Sequence, residues 1–323
     1  MANRLQDYIG FCLLLTALIA VAGCGPKVRP GKEFGAVRVP FAMLYENQIS
    51  GTVFGQKIDD PIGLETDDAG NIYLVDAGNN RLIKFDRDLK PVREAGGFGI
   101  SEALFNSPTY AALDNNLNLY VSDAGNQRIA IYDSRLNYVD MISLIDDDDP
   151  AKFGRPGGLA FNDYGELWVS DPDNSRVSVF GGNTEFNRFV GDVDSYAGLL
   201  LTPNAAAKGG KGRLLVSDEG KGRVYVFDGF GLYLFDFGYD VFKHPAGLET
   251  DRTGHIWVAD SRQSTLYCFD INGNLLYSLG TYGTAGEYSF NKPRDVAVLT
   301  GDRIAVSDTG NDRVMIYKIL YQE

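Results

Sequence analysis

Cysteine is nearly missing from this chain. Of three residues in 323, Cys12 and Cys24 fall in an N-terminal apolar stretch, which leaves Cys268 alone in the body. One thiol makes no intramolecular disulfide, and without a CxxC pair the common zinc and dithiol redox sites are excluded. Histidine is scarcer still, with only His244 and His255. Basic residues are outnumbered, 30 Lys and Arg against 43 Asp and Glu, for a formal charge of -13. That balance repels phosphate backbones and argues against nucleic acid as a partner. No apolar run reaches the roughly twenty residues that span a bilayer as a helix. What the chain does have is glycine, 38 residues, beside a hydrophobic share of 44% that supports a packed core.

The N-terminal stretch reads as an address. Arg4 precedes an apolar run from Ile9 to Ala22, closed by Val21-Ala22-Gly23-Cys24. A secretory leader cut after a small residue, with Cys24 incidental, accounts for that pattern. The coincidence of small residues with the cysteine resembles more closely the lipobox of bacterial lipoproteins. That resemblance implies a signal peptide over residues 1–23 and a covalent diacylglyceryl lipid on Cys24. Each buried methylene of such an anchor adds about 0.8 kcal/mol. Gly25, in place of aspartate, implies a cell-envelope destination at the outer membrane, periplasmic or surface side. Residues 24–40 then serve as lipidated cysteine and tether, and residues 41–323 as the folded body.

The body repeats one unit six times. A short apolar strand closing on aspartate recurs at Asp76, Asp123, Asp171, Asp218, Asp260 and Asp308, with spacings of 47, 48, 47, 42 and 48. Pro61, Pro108, Pro156, Pro245 and Pro293 each stand fifteen residues before their aspartate, a register read in five of the six units. Arg81, Arg128, Arg176, Arg223 and Arg313 follow five residues after it. Within a unit, a short strand after the proline meets a Gly/Asn turn, a second strand runs to the aspartate, and a hairpin of the Asp-Ala-Gly-Asn type returns the chain. An alternating third strand, such as Arg128 to Tyr132, and a fourth complete it. Four antiparallel strands in about 40–50 residues is the arithmetic of a β-propeller blade. The predicted fold is all-β, a six-bladed propeller. The sixth unit ends after its third strand, so residues 41–54 are expected to supply its fourth and close the ring, pairing an otherwise exposed edge.

Pro-x-Gly-Leu, the [Tyr/Trp]-Val-x-Asp strand and Asn-x-Arg resemble the NHL repeat, over residues 61 to 318. The histidine of the naming signature is absent, as in Asn79-Asn80-Arg81-Leu82 and Asn126-Gln127-Arg128-Ile129. Unit four departs with Lys221-Gly222-Arg223 and reads as having a stretched first hairpin, Lys208 to Arg213. Unit five has Thr265 where arginine is expected.

Residues repeated in most units are poor candidates for catalysis, because a catalytic site needs one constellation. The aspartates and arginines therefore read as scaffold, and Trp168 and Trp257, in the second strands, as packing between blades. Zinc-dependent peptidyl-hydroxyglycine lyases resemble this fold, but they use several histidines. His244 and His255 sit at opposite ends of one strand, roughly 20 Å apart at ~3.3 Å per residue. Lactonase-type propellers hold calcium through channel oxygens. The only weak metal candidates here are Asp146, Asp147, Asp148 and Asp149, which read first as a solvated acidic loop. Gly96-Gly97-Phe98-Gly99 resembles the repeat's own link at Gly280 and Gly283 more than a phosphate loop.

Where the first strand enters the channel, most units carry small residues, with Ala197-Gly198 taken as unit four's. Tyr110, Arg294 and Asp295 break that rule, and the link bearing His244 opens on the same face. These four form a candidate binding patch, or else plug the mouth and pair with one another. The preferred reading is a monomeric, lipid-anchored docking scaffold for an envelope or secreted protein, or an extracytoplasmic polymer, with no catalytic residue and no cofactor beyond the lipid. The competing one is a calcium-dependent propeller enzyme, a lactonase or lyase.

Overall fold

The repeat spacing becomes geometry through one pairing. In the computed structural model, which describes residues 38–143 and 152–322, the proline opening a first strand faces the aspartate closing the second. Pro61 pairs with Asp76, Pro108 with Asp123, Pro203 with Asp218, Pro245 with Asp260 and Pro293 with Asp308. Proline has no N–H to leave unpaired there, and its fixed φ starts the strand. Around this pairing the described residues form six four-stranded antiparallel sheets, the blades of a propeller. Their first strands are Pro61–Thr66, Pro108–Leu113, Leu159–Phe161, Pro203–Lys208, Pro245–Thr250 and Pro293–Leu299. They pack side by side around a closed ring, the sixth against the first.

The sixth blade is built from both ends of the chain, as expected. Pro40–Ser50 pairs antiparallel with Arg313–Tyr321, from Pro40 opposite Tyr321 to Ser50 opposite Arg313. Blade 6 thus reads fourth strand, third, second, first from rim to axis.

Two expectations for the fourth unit are corrected. Its first strand begins at Pro203, fifteen residues before Asp218, so all six units carry the proline; Ala197 and Gly198 lie in the preceding link. Its first hairpin is also not stretched. Residues 209–213 connect Lys208 to Leu214 just as 67–71 connect Thr66 to Ile72. The mistake arises because Ala205-Ala206-Ala207 lacks the Gly-Leu that units one, three and five carry.

Each blade presents two ends. At the link end, a fourth strand crosses to the next blade's proline and the short 3-10 hairpins such as Ala77–Asn79 turn the chain. At the other, turn end, an aspartate closes most turns by accepting amides two and four residues on. Asp114 takes those of Asn116 and Asn118, and Asp133 those of Arg135 and Asn137. The core lies between blades. Trp168 and Trp257 are fully buried, and Trp168 packs on Phe227 of the next blade at 6.2 Å. Glycines at the axis allow the first strands to touch: a Cβ on Gly63 would come 2.8 Å from Tyr110 Cα, and one on Gly247 2.6 Å from Asp295 Cα.

Candidate functional site

The repeated charges are scaffold by their hydrogen bonds. In all six blades the aspartate accepts a backbone amide from the link seventeen residues upstream: Asp59, Asn106, Gly154, Leu201, Lys243 and Asn291. In blades 1, 2, 3 and 6 it also accepts Asn Nδ2 and Arg Nε, at 2.7 Å for Arg81 and Arg313 and 2.8 Å for Arg128. The arginine then reaches on to link carbonyls, Val53 and Gln56 for Arg81, Gly286 and Ser289 for Arg313. It clips the link to the disc.

Blades 4 and 5 lack the clip. Arg223 turns away to Asp236 at 2.9 Å and lies over the Tyr239 ring at 4.8 Å, its Nε without a partner. In blade 5, Thr265 bonds only local carbonyls, and Gln263 donates to Asp260 and Val241 instead. The links entering these two blades carry Val193, Tyr196, Leu199, Leu201 and Tyr239 as exposed side chains, Val193 at 88% and Tyr196 wholly in solvent. Leu201 lies over the blade 4 hairpin, where a Cβ on Gly220 would meet its side chain at 2.9 Å.

At the axis is a cavity of about 180 Å³ that reaches the turn end at Asn115, Asn162 and Lys208. Its wall carries Glu65, Glu249 and Asp295. Burial, then repulsion from Glu249, pushes Glu65 up to about 8; burial pushes Glu249 up to about 7 and Asp295 to about 8. By area the two glutamates are half-buried in the channel wall, and that enclosure governs their charge. Asp295 accepts the Leu64 and Val296 amides, both at 2.9 Å, and Glu65 accepts those of Thr66 and Leu113. No group of three or more His, Cys, Asp or Glu side chains placed to hold a metal exists among the described residues.

The anticipated patch divides. Tyr110 and Asp295 are buried in the channel wall at 4% and 6% exposure, Tyr110 donating to Asn204 Oδ1 at 3.2 Å. Half-buried Arg294 stands beside them, acting electrostatically on both and on Asp60. His244 lies apart in the fifth link, its Nδ1 2.8 Å from Glu219 and its Nε2 3.3 Å from Arg262. His255 is buried at the other end of the same strand against Asp251 at 2.9 Å. Cys24 and Asp146, Asp147, Asp148 and Asp149 lie outside the described residues. Gly96 and Gly280 are equivalent, as expected. Each has a positive φ, 105° and 104°, and each lies under a phenylalanine ring, Phe105 and Phe290.

Glu65 and Glu249 were missed by sequence reasoning. Their signal is the fourth position after the proline, which is alanine in the other four blades, Ala112, Ala160, Ala207 and Ala297. That alignment is complete only once Pro203 is in register.

Fold and repeat define a six-bladed β-propeller, closed by its own N-terminal strand, in which two units match the NHL repeat. The NHL repeat family model matches residues 153–180 and 290–317. Among known proteins, the chain is similar to Protein brain tumor of Drosophila melanogaster, 26% identical over 131 residues, or 40% of this chain and 13% of that protein. Its structure resembles a catalytically inactive virginiamycin B lyase from Staphylococcus aureus solved with quinupristin, at TM-score 0.61 and 11% identity, covering 86% of this chain and 88% of that one. A gluconolactonase from Xanthomonas campestris gives TM-score 0.61 at 16% identity, covering 91% and 99%. At such identities the structural likeness speaks for the fold alone.

Proposed function

We propose that the propeller is a non-catalytic docking scaffold in the bacterial cell envelope, lipid-anchored through Cys24, which receives an envelope or secreted protein on its link face. One observation carries the reading. The link face displays large apolar side chains to solvent, Val193, Tyr196, Leu199, Leu201 and Tyr239 on the links of the two blades without the arginine clip, and Phe98, Ile100 and Tyr282 on the links into blades 2 and 6. Aromatic and aliphatic side chains presented on a rigid frame are what interface anchors are made of. The enzyme alternative draws on the lyase and lactonase likenesses, but the channel carboxylates serve backbone amides and do not gather around one point.

The test is a photo-crosslinking residue at Tyr196, compared in intact cells with one at the exposed Leu275 on the turn face. A discrete adduct is expected at Tyr196 only, lost when Leu199 and Leu201 are both changed to Asp. Equal labelling at both sites, or calcium-dependent lactone or lyase turnover by the purified chain, would sink the docking reading.

A further inference from the structure

The turn end carries a second site, seen by comparing junctions between blades. At the first, Lys84 Nζ donates to the Ser134 carbonyl at 2.7 Å. Between blades 3 and 4, Asn162 donates to Gly229 O at 3.1 Å and Arg188 to Phe230 O at 3.1 Å. Between blades 4 and 5, Arg213 reaches Ile271 O at 3.0 Å. Each bridge fills the cleft beside the next blade's turn between third and fourth strands. Between blades 2 and 3 no such bond exists among the described residues, and the turn there begins Gly181-Gly182, where four other blades place Asp first. A cleft of about 200 Å³ remains.

Its chemistry is specific. The walls are Tyr120, Ile142, Phe161 and Phe180, with Tyr120 and Phe161 edge to face at 5.0 Å and 73°. Tyr120 is only 9% exposed, and its hydroxyl, which opens into the cleft, has no hydrogen bond in the protein. At the rim, the Asn115 and Asn116 side-chain amides make no bond either. The one carboxylate, Asp114, is used up by the amides of Asn116 and Asn118 and by Asn118 Nδ2. The cleft therefore offers aromatic surface and neutral hydrogen-bonding groups but no cation, and the Asp114 carboxylate, its oxygens taken by amides, keeps its negative charge. Crossed rings leave no parallel slot for a flat aromatic ligand, and the volume is below the roughly 300–1,000 Å³ of drug-sized pockets. One saturated ring with apolar C–H faces and hydroxyls around its edge matches these terms.

We propose that the cleft between blades 2 and 3 binds a neutral pyranose ring of a glycan. One ring face lies on Phe161 and Tyr120, and the ring hydroxyls exchange hydrogen bonds with the Tyr120 hydroxyl and the Asn115 and Asn116 amides. This site is independent of the docking face and stands if that reading fails.

Isothermal titration of the full chain with tetrasaccharides of glucose, mannose, galactose and N-acetylglucosamine tests it. At least one is expected to bind saturably, at millimolar affinity or tighter. Gly182→Ile fills the cleft without strain, because the backbone there is not left-handed and blade 5 already holds Ile271 at the equivalent position. It is expected to weaken binding at least about tenfold with an unchanged melting temperature, and Tyr120→Phe by a few-fold, the size of one hydrogen bond. Absence of binding to all four sugars, or binding indifferent to Gly182→Ile, overturns the proposal.

Discussion

Two sets of buried carboxylates sit in the same disc. At the link end, Asp76, Asp123, Asp171, Asp218, Asp260 and Asp308 are wholly buried, repeat in every blade and are each tied to the link upstream. Around the axis, Glu65 and Glu249 share a position that is alanine in the other four blades, Asp295 stands alone at its own, and burial raises all three to about 7 to 8. The first set has cationic or multiple amide donors to offset the cost of burial; the second has few donors and no ion pair. The difference teaches where to look. What repeats holds the ring, and what breaks the repeat is free to serve something else.

The largest expected effect comes from the repeating set. Asp123→Ala strands the buried Arg128 guanidinium and orphans the Asn106 amide, and removing one partner of a buried pair costs about 3–5 kcal/mol. Asp218→Ala should cost roughly half as much, because Arg223 keeps Asp236 and only the amides of Leu201, Thr202 and Lys221 lose a partner. Denaturant unfolding of the two variants side by side checks this. Equal losses would mean the arginine clip contributes nothing beyond the turn.

The axial set should show itself in pH. A carboxyl whose folded pKa is raised keeps a proton that the unfolded chain has released. Its contribution is therefore complete below the unfolded value near 4 and is lost as pH rises through about 7 to 8. Asp251 works the other way. Against the cost of burial, hydrogen bonds from His255, Thr253 and Trp257 bring it down to about 2, so its share is lost as pH falls below about 4. The melting temperature is expected to peak near pH 5 and fall by several degrees toward pH 9. Glu249→Gln, which cannot ionise, should make the alkaline limb shallower, Glu65 and Asp295 still contributing to it, while leaving the acid limb alone. A flat wild-type profile between pH 6 and 9 would break the contrast between the two sets.

Much of this was legible in the sequence, and the limit has a physical cause. The aspartate register gives six blades because its spacing is set by strand length, and the truncated sixth unit gives the closing strand from Pro40 to Ser50. Pro203 escaped because three alanines hide the strand it opens, and with it went the alignment that sets Glu65 and Glu249 apart from four alanines. The cleft beside Tyr120 is of another kind. It exists because a bridge present at three junctions is absent there, and an absence between residues some sixty positions apart leaves no local trace.

The smallest expected effect sharpens the comparison from the side of the missing clip. Thr265→Arg restores the residue that blade 5 lacks, and by the repeat's rule it should recover a buried ion pair. The geometry says otherwise. Asp260 already accepts the amides of Lys243, His244, Arg262 and Gln263 and the Gln263 side chain, five donors against the three that Asp308 takes in blade 6. With no oxygen left vacant, the new guanidinium would have to displace Gln263, giving up its bond to the Val241 carbonyl as well. One set of donors replaces another, and the change in stability should stay within about 0.5 kcal/mol. A gain above about 1 kcal/mol in denaturant unfolding would show that blade 5 is a damaged copy of the repeat. A null result would mark it as a different solution to the same burial, in which the link is held by an amide and left without its cation.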